Sequence, residues 1–152
     1  MKKTLFVIFF SVLWLSFTPK RMQEKVIVFT PYTWSYTVAA AKVHHKLIFL
    51  DAYASWCGPC KWVAKNVFTN SEIADYYNKT FINVTIDMEK DEGLKLAKKF
   101  QVESYPTFLI INSKEEVISR LIGVDYNKEF FNTFLQFGKN AQEKWEDTTS
   151  LK

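Results

Sequence analysis

Leu47-Ile48-Phe49-Leu50 is an unbroken apolar run, and ten residues after Leu50 the chain completes Cys57-Gly58-Pro59-Cys60. An apolar run of that length suits a strand covered on both faces. Proline is tolerated in the first turn of a helix, where its missing N–H would have had no partner. The two features together predict a buried strand over 46–53 that hands over to a helix at Cys57. A strand covered on both sides needs helices above and below it, so the pattern points to an α/β domain.

The rest of the chain supplies the other layers. Thr33 predicts the cap of a helix from Trp34 to about His45. Val26-Ile27-Val28-Phe29 reads as a short strand, ended by Thr30-Pro31. The helix after Cys57 extends towards Phe68, and Asn70-Ser71-Glu72 starts another that continues to about Asn78. Phe81 to Asp87 alternates apolar and polar residues, the period of a strand. Asp91-Glu92 opens a helix to Phe100. Thr107 to Ile111 and Val117 to Ile122 form an antiparallel pair across the turn Ser113-Lys114-Glu115-Glu116. A last helix runs from Asn127 to about Phe137, with Phe130, Phe131, Phe134 and Leu135 along one face as core. Residues 141–152 are polar and are expected to fray. The sum is an α/β sandwich with a mixed central sheet.

With 152 residues, 48% hydrophobic and 24% charged, the chain suits one domain with a real core. Its net charge of +4 is local. Lys2, Lys3, Lys20 and Arg21 account for it, and residues 22–152 carry 16 basic and 16 acidic side chains. No basic stripe marks that body, so nucleic acid is not an expected partner.

The charged start, Met1-Lys2-Lys3, precedes an apolar stretch from Leu5 to Phe17 broken only by Ser11. That is the layout of a secretory signal, and it is shorter than the roughly 20 residues a membrane-spanning helix needs. Residues 1–21 are therefore expected to be a signal peptide, cleaved near Ser16-Phe17-Thr18 or retained as an anchor. Residues 22–140 form the domain and 141–152 a polar tail. The expected location is periplasmic or otherwise extracytoplasmic.

Cys57 and Cys60 are the two cysteines of the chain. Such a pair can be a structural disulfide, half of a metal site or a redox couple. A bridge closing a four-residue loop contributes only about 2 kcal/mol. A zinc-type site needs two more ligands, and the two histidines, His44 and His45, are adjacent at a predicted helix end. The redox reading is the one with a direct physical basis. At a helix N-terminus, free N–H groups and the helix dipole stabilise a thiolate at Cys57. Cys60, one turn further in, is shielded and close enough to attack an adjacent sulfur.

Trp56-Cys57-Gly58-Pro59-Cys60-Lys61 resembles the active-site hexapeptide of thioredoxins. Asp51, Tyr105-Pro106-Thr107 and Gly123 fall where that family carries a buried aspartate, a cis-proline and a glycine in the last strand. The resemblance covers roughly residues 46–137. It implies a three-layer α/β/α sandwich and a protein-disulfide oxidoreductase with no cofactor and no metal. It implies that Cys57 attacks and Cys60 resolves through a Cys57–Cys60 disulfide, with Asp51 exchanging the proton. Trp56, Tyr105 and Pro106 would meet the substrate, and Gly58 and Pro59 would tune the potential. Implied partners are disulfide-containing clients and a membrane or exported electron-donor reductase, with the chain a monomer.

Two departures stand out. Lys65 replaces a proline that usually kinks the active-site helix, and Asn83 aligns with a lysine that neighbours the buried aspartate. The segment Asn66–Glu72 and the leading helix resemble exported members, including the C-terminal domain of the membrane thiol:disulfide interchange protein. The Gly-Pro dipeptide resembles the reducing end of the superfamily. The alternatives are a disulfide oxidase or isomerase, or a non-catalytic thioredoxin-like binding module.

Overall fold

The structure is a computed structural model that describes residues 26–150. The expected signal peptide lies outside the described residues. Five helices and four strands follow in the order α1 (Trp34–His44), β1 (Leu47–Tyr53), α2 (Gly58–Asn66), α3 (Ser71–Thr80), β2 (Phe81–Asp87), α4 (Asp91–Lys99), β3 (Thr107–Ile111), β4 (Val117–Ile122) and α5 (Glu129–Ser150). The sheet order is β2-β1-β3-β4. β1 pairs parallel with β2 and antiparallel with β3, and β3 pairs antiparallel with β4.

β1 is central, and its first six residues are buried, as the apolar run requires. Its alternate side chains serve two cores. Leu47 and Phe49 join Val63 of α2, Tyr77 of α3 and Phe134 of α5 on one face. Ile48, Leu50 and Ala52 join Trp34 and Ala41 of α1 and Leu96 of α4 on the other. The three-layer α/β/α architecture with a mixed sheet follows from this division.

Most elements start where the sequence places them. Thr33 caps α1 through its side chain, and Asn70 Oδ1 accepts from the N–H groups of Glu72 and Ile73 at the start of α3. Two expectations need correction. Val26–Phe29 is not a strand, although it lies beside β2. Its polar groups form no ladder with β2: Ile27 N–H donates to Phe68 O at 2.8 Å, Val28 N–H to Asn78 Oδ1 at 2.8 Å, and Asn78 Nδ2 donates to Val26 O at 2.9 Å. The one backbone–backbone bond to β2 comes just after the segment, where Thr30 donates its N–H to Asn83 O at 2.8 Å.

The other correction concerns residues 141–152, which are not a frayed tail over the described part. Helix α5 continues to Ser150. The apolar stripe of Phe130 and Phe134 extends through Phe137 and the buried Ala141 to Trp145, which packs against the same core. Lys144 Nζ also donates to Ile118 O at 3.2 Å, tying this extension to β4.

The contact between α3 and α5 depends on Gly138. A Cβ at that position would lie 3.1 Å from two ring atoms of Tyr77 and from its hydroxyl oxygen. Tyr77 cannot yield: it is fully buried, its hydroxyl donates to Phe134 O at 2.8 Å, and its ring is stacked on Phe134. Gly138→Ala is expected to lose about 1–2 kcal/mol of stability in urea unfolding, because overpacking outweighs the gain in helix propensity.

Candidate active site

The turn between β1 and α2 presents the cysteines. Cys57 N–H donates to Ala54 O at 2.9 Å, closing the turn. Cys57 then takes the N-cap position of α2, with Pro59 in the first turn. Its Sγ accepts a hydrogen bond from Cys60 N–H at 3.1 Å, so the sulfur occupies the place of a capping oxygen. Free N–H groups there stabilise negative charge on whatever caps them. The two sulfurs are joined in a Cys57–Cys60 disulfide.

Cys60 is shielded as the sequence predicts, and in this oxidised form Cys57 is buried as well. Cys57 is 1% exposed and Cys60 7%. Ala54, Tyr53 and Tyr105 pack around the pair, and Tyr105 arrives from a loop 48 residues downstream of Cys57. Trp56 is exposed beside it, edge-on to Tyr105 with centroids 6.0 Å apart. The Trp56 indole N–H donates to Glu89 Oε2 at 2.7 Å, which fixes the ring. Burial, and then the negative charges of Glu89 and Asp87, raise the Tyr105 phenol above its ordinary value, so it stays neutral.

The Tyr105–Pro106 peptide bond is cis. Pro106 is buried, and its carbonyl accepts the N–H of Gly123 at 2.8 Å. Gly123 has φ +78°, in the left-handed region that glycine enters without steric penalty. The loop before β3 is thus latched to the end of β4. Gly58 makes no comparable demand, since a Cβ there would meet open space.

Asp51 lies on β1 with its side chain on the face that carries Phe49 and is covered by α2. The residue is buried, and desolvation raises its carboxyl from 3.8 to about 7, opposed by a hydrogen bond from Thr85. Thr85 Oγ1 donates to Asp51 Oδ2 at 2.9 Å. The residue beside the aspartate is therefore Thr85 and not Asn83. The parallel register pairs Asp51 with Thr85 and Phe49 with Asn83, and Asn83 Nδ2 is engaged instead with Val28 O and Asn78 Oδ1.

The turn after β2 was missed as part of the site. It carries Glu89, which anchors Trp56, and Lys90, whose Nζ reaches Ser55 Oγ at 3.3 Å and Asp87 at 3.1 Å. The available signal was the β1–β2 pairing, which sets Asp87 level with Tyr53 and the turn level with the cysteine loop. Among the described residues no group of three His, Cys, Asp or Glu side chains could hold a metal ion. His45 ends α1 in the left-handed region. Lys65 is the penultimate residue of α2, which stops at Asn66.

The thioredoxin family profile matches residues 25–136. Thioredoxin H4 of Arabidopsis thaliana is 38% identical over 96 residues, which span 63% of this chain and 74% of that protein. A solution structure of a candidate disulphide-isomerase from Bacteroides thetaiotaomicron is 42% identical, with a TM-score of 0.64, covering 74% of this chain and 93% of that one. A thioredoxin from Thermus thermophilus shares the fold at 22% identity and a TM-score of 0.60, covering 69% of this chain and 83% of that one. The family profile covers most of the chain, both relatives above 30% identity carry thioredoxin or disulphide-isomerase names, and the chain belongs to the thioredoxin family as a protein-disulfide oxidoreductase.

Proposed function

We propose that this oxidoreductase works outside the cytoplasm as a reductant of disulfides in other proteins. The observation that carries the chemical reading is the Cys57 sulfur at the N-cap of α2, accepting the Cys60 N–H. Cys57 as thiolate attacks a client disulfide, forms a mixed disulfide and releases one client thiolate. Cys60 then gives its proton to Asp51 and attacks Cys57 Sγ, releasing the second client sulfur as a thiolate, which takes a proton from solvent. The client gains two electrons and the chain ends as the disulfide seen in the structure. Trp56, Tyr105 and Pro106 form the surface that receives the client, while Gly58 and Pro59 tune the potential.

Turnover requires two electrons from a membrane or exported dithiol reductase. The extracytoplasmic location rests on the charged start and apolar stretch of residues 1–17, and the chain acts as a monomer. No cofactor enters the scheme beyond the dithiol.

Cys60→Ser tests the mechanism directly. Mixed disulfides with other proteins are expected to accumulate on Cys57 in the exported fraction and to disappear in the Cys57→Ser, Cys60→Ser double variant. Capture of no protein, with no reduction of a protein disulfide by the native chain, would overturn the reading. The isomerase reading suggested by the Bacteroides relative is separated by a redox titration. A potential around −270 mV marks a reductant, and one nearer about −180 to −120 mV marks an isomerase or oxidase.

A further inference from the structure

A proton taken up by Asp51 has to return to water, yet Asp51 is only 7% exposed. Thr85, its hydrogen-bond partner, is exposed on the outer strand of the sheet. Thr85 also lines an open cleft of about 490 Å³ walled by Phe29, Pro31, Tyr53, Asp87 and Lys90. One hydroxyl therefore touches the buried acid and borders solvent.

We propose that Thr85 is a positioning residue that carries protons between Asp51 and the water of this cleft. The inference rests on the reading of Asp51 as the acceptor of the Cys60 proton. In the release step the protonated Asp51 donates to Thr85 Oγ1, as the hydroxyl passes its own hydrogen to water or a buffer base in the cleft. The hydroxyl then turns and donates again to the carboxylate, as in the structure. The proton ends in solvent and no electrons move.

The other groups around the carboxyl leave this role to Thr85. From β3 comes the apolar Phe108, level with Asp51. Tyr53 of β1, Asp87 of β2, Lys90 of the turn and Asp91 and Glu92 of α4 all line the cleft. None of these makes a side-chain hydrogen bond to Asp51, and Thr85 does.

The test uses the full chain with Thr85→Val, Thr85→Ala and Thr85→Ser. Carboxyl-carbon NMR of the oxidised protein is expected to place the Asp51 midpoint roughly one to two pH units higher in the valine and alanine variants, the range set by one lost hydrogen bond to a charged group. Serine keeps the native midpoint. In single-turnover reduction of a protein disulfide, resolution by the valine variant is expected to slow at least about fivefold at pH 7, where less of its Asp51 is ionised, and to recover as rising pH ionises it. A midpoint that does not move in the valine and alanine variants, or that moves as far with serine, overturns the proposal. Failure of the native chain to exchange disulfides, with the midpoint still shifted by valine, would sink the proposed function and leave the Thr85–Asp51 link standing.

Discussion

Asp51→Asn is expected to make the oxidised protein more stable at pH 8, by up to about 4 kcal/mol. Burial raises the Asp51 carboxyl from 3.8 to about 7, so between those values the folded protein binds a proton that the unfolded chain has released. Stability from this group is fully present below pH 3.8 and is lost as pH climbs through about 7. An amide in the same place keeps a polar contact for Thr85 and never ionises. Denaturant unfolding of both proteins at pH 5 and pH 8 checks the point. The gap between them must widen with pH, and equal stability at both values would mean that the carboxyl is not destabilised by burial. The same substitution is expected to slow resolution by Cys60, so that stability and activity move in opposite directions, as happens where a functional group is held against its solvation preference.

Gly93→Ala has the largest expected cost of any single methyl group in the protein. A Cβ at Gly93 would stand 2.0 Å from Asp87 O and 2.9 Å from Asp87 C. Both atoms are backbone, so no rotamer change relieves the clash, and the end of β2 must separate from the first turn of α4. A loss of about 3 kcal/mol or more is expected. The displaced turn carries Glu89 and Lys90, so the Trp56–Glu89 hydrogen bond should break as well. Thermal unfolding reads the first effect and Trp56 fluorescence in the folded state reads the second. A variant with native stability would show that the turn is less tightly held than its close approach to Gly93 requires.

The legible parts of this molecule are those set by local pattern. Leu47–Leu50 and the alternation from Phe81 to Asp87 announce strands because burial on two faces or one leaves a period in the residues themselves. Cys57, Pro59 and the helix they open are equally local. What could not be read depends on partners distant along the chain. Val26–Phe29 has strand-forming residues, but side-chain amides of Asn78 and Asn83 take the places of a neighbouring strand. The polar composition beyond residue 141 hides Ala141 and Trp145, which continue the helix stripe at intervals of three and four. Asn83 was set beside Asp51 because register is invisible until the strands are paired, and the unstaggered parallel pairing brings up Thr85 instead. The concealment of Cys57 is shared by Ala54 and Tyr53, close by in the chain, and Tyr105, which comes from a different loop.

The flanking segments that the sequence obscured have a consequence for a protein that handles other polypeptides. The margin of the sheet at β2 is occupied by residues 26–30, and α5 reaches over to β4 at the opposite margin through Lys144. A bare outer strand is a template on which a sticky, half-folded chain can nucleate fibrils or amorphous precipitate. With both margins engaged at these points, the oxidoreductase offers less bare strand to a polypeptide that approaches its cysteines.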